Sequence, residues 1–91
     1  MTTKPSSKKE IRVYTTNYCP YCINAKKLLS GLGLAFAEIN LEDDPDLRQK
    51  LSSENNGWRT VPMIFIGDHF VGGFTDLKTL HDSGKLNDFL A

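Results

Sequence analysis

Two cysteines three positions apart, in Cys19-Pro20-Tyr21-Cys22, are the residues of this 91-residue chain best suited to chemistry, and it has no others. A thiolate attacks disulfides, and a second thiol close by is placed to close a disulfide with the first. As a structural staple the pair makes little sense, because a bridge across so short a loop removes little chain entropy. As a closed zinc site it is incomplete. Such sites take four Cys or His ligands, and His69 and His81 are distant and differently spaced. A redox pair is the reading that remains.

The flanking pattern says what must position that pair. Ile11–Thr15 alternates large apolar and polar residues, as a half-buried strand does. From Pro20 onward Ala25, Leu28, Leu29 and Leu32 recur at helical spacing, so a helix is predicted over about 20–31. Pro20 suits the first helical position, where its missing N–H would have been unpaired anyway. Cys19 then falls at the N-cap, where free backbone N–H groups and the positive end of the helix dipole favour a negative charge. A thiolate is such a charge.

Gly31-Leu32-Gly33 stops this helix, and 34–40 reads as a second strand, completing a right-handed βαβ unit with parallel strands. Asp44-Pro45-Asp46 opens a second helix with Leu47 and Leu51 on its inward face, ended by Asn55-Asn56-Gly57. Strands are predicted at 61–66 and 70–71 around a Gly67-Asp68-His69 hairpin turn. Thr75 is the expected N-cap of a third helix carrying Leu77 and Leu80. Ser83-Gly84 breaks it before a last turn with Leu86, Phe89 and Leu90. The order predicts an α/β fold: a four-stranded mixed sheet flanked by three or more helices, with strand three returning beside strand one.

Length allows one small core. Eleven basic and eleven acidic residues balance, giving no argument for a nucleic-acid-binding or membrane-bound surface. Nothing approaches the roughly 18 consecutive apolar residues of a membrane helix. Residues 1–9 read as a flexible polar leader without the apolar stretch of a secretory signal, ahead of a domain over 10–91. With one C-x-x-C pair and no signal, a cytoplasmic location is expected.

Cys19-Pro20-Tyr21-Cys22, Thr60-Val61-Pro62 and Gly72-Gly73-Phe74-Thr75-Asp76, in this order and at these spacings, resemble a dithiol glutaredoxin from about Ile11 to Leu90. The resemblance implies a thioredoxin-like fold and a glutathione-dependent thiol–disulfide oxidoreductase acting on protein disulfides and glutathione mixed disulfides. Cys19 would be the nucleophile and Cys22 the resolving thiol, less exposed one turn inside the helix. Pro62 would follow a cis peptide bond, letting Val61 offer its N–H and C=O to glutathione as to an added strand. The residues alone equally allow a trans proline at a strand's start. Gly73, Thr75 and Asp76 would receive the γ-glutamyl end, with donors at a helix N-terminus and a carboxylate for the ammonium. Taken alone, Thr75 and Asp76 read as capping residues. Tyr21 is either a wall beside glutathione or an aromatic covering the helix end. Thr60 belongs to the same stretch.

One position departs from the family pattern. Many members carry a lysine three residues before the nucleophile, where this chain has Thr16. Arg59 matches a basic position of relatives and would hold the glycine carboxylate instead, unless it is an ordinary surface charge. Lys26 and Lys27, two turns into the helix, are expected to be solvated. No permanently bound cofactor is expected, glutathione being a co-substrate and the chain a monomer. Two rivals stand beside this reading. One is a dimer holding a glutathione-ligated [2Fe–2S] cluster through Cys19, which Pro20 resembles a feature disfavouring. The other is a thioredoxin-like reductant indifferent to glutathione.

Overall fold

Met63-Ile64-Phe65-Ile66 has no polar residue, as expected of a strand buried on both faces. In the computed structural model, which describes residues 10–90, this is β3 (Met63–Ile66). Ile64 and Ile66 pack to one side and Met63 and Phe65 to the other. Beside it β1 (Ile11–Thr15) sends Ile11 and Val13 to the first side and Tyr14 to the second. Helices close both faces. Ala25 and Leu29 of α1 (Pro20–Gly31), Leu77 of α3 (Phe74–Asp82) and Leu86 and Leu90 of α4 (Leu86–Leu90) cover one. Leu51 of α2 (Pro45–Glu54), with Leu41 just before it, covers the other. Each fully buried side chain of this size contributes about 1.5–3 kcal/mol. The first cluster therefore fixes where the cysteine-bearing helix sits, and the second holds Trp58 and Val61 of the segment before β3.

The sheet order is β2-β1-β3-β4. β2 (Ala37–Asn40) lies parallel to β1, with Arg12 opposite Ala37 and Thr15 opposite Asn40. β3 is antiparallel to β1, as expected for a third strand returning beside the first. β4 (His69–Gly72) pairs with β3 across a tight hairpin in which Gly67 adopts φ +59°. Capping follows local chemistry. Asp44 caps α2 by accepting the Leu47 N–H at 3.1 Å, and Pro45 starts the helix.

Four boundaries differ from the sequence-based expectation. β2 begins at Ala37, not at residue 34. β1 offers partners only from Arg12 onward in this pairing, so Leu34 and Phe36 pack onto the core without a ladder. β3 begins at Met63, because Pro62 has no N–H to give a ladder. His69 belongs to β4, opposite Ile66, and not to the turn. The N-cap of α3 is Gly73, which leaves Thr75 inside the first turn. The cap works backwards there: Asp76 Oδ2 accepts the Gly73 N–H at 2.9 Å. The expected leader over residues 1–9 lies outside the described residues.

Candidate active site

Cys19 is the N-cap of α1, with φ −153° and ψ 97°, the extended geometry demanded of a residue before proline. Its Sγ accepts the Cys22 N–H at 3.0 Å. The helix end therefore points a donor at this sulfur, and the first turn contains no acidic residue to oppose a negative charge there. Cys19 and Cys22 are joined as a disulfide, with Cα atoms 5.2 Å apart. Cys19 is 8 % exposed and Cys22 2 %, so the outer sulfur is Cys19. The peptide bond between Val61 and Pro62 is cis, and the Val61 carbonyl oxygen lies 3.6 Å from Cys19 Sγ.

A cleft of about 280 Å³ is lined by Val61 and Pro62 of that turn; neither cysteine lines it, and Cys19 adjoins it through the Val61 carbonyl. Tyr21, Thr60, Val61, Pro62, Gly73, Thr75 and Asp76, seven of the eight residues expected to bind glutathione, line it together. They come from the head of α1, the turn before β3 and the start of α3, three segments joined only by the fold. Gly72 makes the last of these possible. It adopts φ +119°, and a Cβ there would collide with the Asp76 carboxylate that caps α3. Asp76 uses one oxygen for that cap, and a carboxylate has a second.

The eighth residue, Arg59, does not line the cleft. It borders an adjoining groove of about 250 Å³ with Arg48, Gln49 and Ser52. Two cleft residues went unassigned from sequence. Phe74 stacks on Tyr21 with centroids 6.4 Å apart and planes at 20°, forming one wall. Trp58 also lines the cleft, edge-on to Phe70 at 5.3 Å, and borders both cleft and groove. Its Nε1 is buried without a hydrogen-bond partner among the described residues. The signals were present: Phe74 interrupts a Gly-Gly…Thr-Asp stretch, and Trp58 is a lone aromatic between Gly57 and Arg59.

The loop carrying Cys19 is braced from β2. Asn17 N–H donates to Glu42 Oε1 at 3.0 Å, and Asn40 Nδ2 donates to Asn17 Oδ1 at 3.0 Å. Lys26 is not a freely solvated lysine. Its Nζ donates to Glu38 Oε2 at 3.0 Å, and the fully buried Thr15 hydroxyl donates to the same oxygen at 2.9 Å. The Lys26 hydrogen bond, aided by Thr15, holds the Glu38 carboxyl below the usual carboxylate range against the opposing effect of partial burial. Among the described residues, no group of three or more His, Cys, Asp or Glu is gathered as a metal site would require.

Comparison with known proteins agrees with this geometry. The family model Glutaredoxin matches residues 11–71. A glutaredoxin of Pseudomonas aeruginosa is 47% identical over 79 residues, covering 87% of this chain and 93% of its own length. The solution structure of a Brucella melitensis glutaredoxin superposes with a TM-score of 0.83 at 44% identity, covering 96% of this chain and 94% of that one. A buckwheat glutaredoxin, solved as a complex with glutathione, gives 0.82 at 36% identity over 90% of this chain and 76% of that one. The sheet order and helix placement described above are thus those of a thioredoxin-like fold. Because the matched stretch spans both cysteines and the Val61–Pro62 turn, and the relatives align nearly end to end, this chain belongs to the glutaredoxin family, whose members are thiol oxidoreductases.

Proposed function

We propose that this glutaredoxin reduces protein disulfides and glutathione mixed disulfides at the expense of glutathione, through Cys19-Pro20-Tyr21-Cys22. One observation carries the reading: the Cys19 sulfur sits at a helix head, beside the carbonyl of Val61, a residue that lines a peptide-sized cleft. In the one-cysteine route, the Cys19 thiolate attacks the glutathionyl sulfur of a mixed disulfide. The old S–S bond breaks, the partner's thiolate leaves and takes a proton, and Cys19 is left bonded to glutathione. A second glutathione thiolate attacks the glutathionyl sulfur of this adduct, releasing glutathione disulfide and the Cys19 thiolate. In the two-cysteine route the Cys19 thiolate attacks one sulfur of a substrate protein disulfide; that S–S bond breaks, the other substrate sulfur leaves as a thiolate and takes a proton, and Cys19 is left bonded to the substrate. Cys22 then displaces that substrate by bonding to Cys19 Sγ, and two glutathiones later reopen the bridge.

Within this reading the tripeptide lies along Val61 as an added strand, with Thr60 and Pro62 shaping the floor and Tyr21 the wall. The α3 N-terminus at Gly73 and Thr75 takes the γ-glutamyl carboxylate, and Asp76 takes the ammonium. The buckwheat relative solved with glutathione supports this choice of ligand. The same reading has the protein acting as a monomer in the cytoplasm. The test is reduction of a glutathionylated peptide with and without glutathione. Turnover that requires glutathione is expected. Turnover sustained equally by thioredoxin reductase, with no effect of glutathione, overturns it.

A further inference from the structure

We propose that Asn56 is a deamidation site, held in check by the turn that ends α2 and coupled through that turn to the cleft. Asn56 alone among the chain's asparagines is followed by glycine. The others are followed by residues whose side chains shield the next backbone nitrogen. Asn56 is exposed, and among the described residues it is the one non-glycine with a positive φ, +63°, ahead of Gly57 at +76°. Asparagine accepts that conformation better than most residues, so the residue that suits the turn is also the reactive one. The chemistry needs only water. The Gly57 backbone nitrogen gives up its proton and attacks Asn56 Cγ. The Cγ–N bond of the side-chain amide breaks, and that nitrogen leaves as ammonia, carrying the proton. Water then opens the succinimide at either carbonyl, leaving an aspartyl or an isoaspartyl linkage, and nothing is oxidised or reduced.

In the fold the attacking N–H is occupied. Gly57 N–H donates to the Ser52 carbonyl oxygen at 2.7 Å, and Trp58 N–H donates to the Asn55 carbonyl oxygen at 3.2 Å. Attack therefore waits on opening of the last turn of α2. Both hydrogen bonds close loops that contain residue 56. An isoaspartyl linkage adds a methylene to the backbone there, and the two bonds cannot both be kept. Trp58 is then released from its place in the cleft wall, where a Cβ on Gly73 would lie 3.6 Å from its Cζ2. An aspartyl linkage keeps the backbone length and changes only the charge. The modification stands on this turn alone; its effect on glutathione binding rests on the proposed glutathione-dependent reduction.

The experiment holds the wild-type protein at mildly alkaline pH, folded or in urea, and maps its peptides by mass. Conversion of amide to acid is expected at Asn56 ahead of every other asparagine. It should run about tenfold faster in urea, the factor that one net hydrogen bond carries. Asn56→Gln, whose longer side chain closes the ring poorly, is aged in parallel and should show no conversion there. Conversion that begins at another asparagine, or runs equally fast folded and unfolded, overturns the proposal. The aged wild type, its isoaspartyl fraction read from the same map, is then compared with fresh protein and with Asn56→Asp. Its KM for glutathione is expected to rise about fivefold, the loss of one aromatic contact, while Asn56→Asp keeps the fresh value. Trp58 is the only tryptophan, so a red shift of its emission on ageing, absent in Asn56→Asp, reports the same release without turnover. An aged protein with the emission and KM of the fresh one overturns the coupling to the cleft. Fresh protein that shows no turnover with glutathione is a different result. It removes the proposed reduction, and the mapping and the emission still decide the proposal.

Discussion

Cys19 and Cys22 share a helix turn but not an environment. The first caps the helix and receives a backbone N–H, and the second lies deeper, almost without exposure. Cys19→Ser is therefore expected to abolish turnover, whereas Cys22→Ser retains reduction of glutathionylated peptides by the one-cysteine route. A Cys22→Ser protein inactive on those peptides contradicts that route. Asp76 carries two tasks that substitution separates. Asp76→Ala removes the acceptor for the Gly73 N–H, costing about 1 kcal/mol, and raises the KM for glutathione about tenfold. Asp76→Asn keeps an acceptor oxygen, so it is expected to regain the stability and not the KM. Thermal unfolding and steady-state kinetics on both variants check this. Recovery of KM in Asp76→Asn shows that the charge is not used. Gly72→Ala strains a φ of +119° and pushes on the same carboxylate. It should lower stability and weaken glutathione binding together.

At the scale of elements, the tie between α1 and the sheet edge is the Lys26–Glu38–Thr15 cluster. The folded-state Glu38 carboxyl ionises below its ordinary value of 4.5. Its contribution is thus complete above that value and is lost as pH falls through the lower folded value. Glu38→Gln is expected to cost at most about 1 kcal/mol at neutral pH, the pair being substantially solvated. The difference from wild type should vanish in acid below the folded value. A difference that persists there contradicts the linkage. The exposed Lys78–Asp82 pair is a control: Asp82 sits at a helix C-terminus, where a negative charge is unfavourable, so Asp82→Asn should leave the melting temperature unchanged.

Which parts of these elements were legible in the sequence follows from how local their causes are. The start of α1 at Pro20 and the Asp44 cap depend on adjacent residues and were found where expected. The start of β2 depends on how far β1 extends, which no pattern within 34–40 encodes. The α3 cap was misplaced because the usual signal, a side chain at the cap itself, is missing at Gly73 and supplied from Asp76. Lys26 looked solvated because its partner lies twelve residues away on another element.

For the molecule as a whole, two core clusters, one on each face of the sheet, organise a site assembled from three separate segments. Leu29 lies fully buried beneath α1 and against the central strands. Leu29→Ala should cost about 2–5 kcal/mol, lowering the melting temperature by roughly 10 °C or more in a domain of this size. Its folded fraction should still reduce disulfides, since Leu29 itself does not line the cleft. Motifs made the cleft legible at Tyr21, Val61, Pro62 and Asp76. The separation of Arg59 from them was not legible, because the Trp58 ring that divides cleft from groove is a feature of packing. The claim beneath the whole account is that the α1 head activates the sulfur of Cys19. The rate at which each reduced cysteine is alkylated at neutral pH measures it most directly. Cys19 is expected to react about tenfold or more faster than free cysteine, with Cys22 far slower. Alkylation of Cys19 no faster than that of Cys22 contradicts the account.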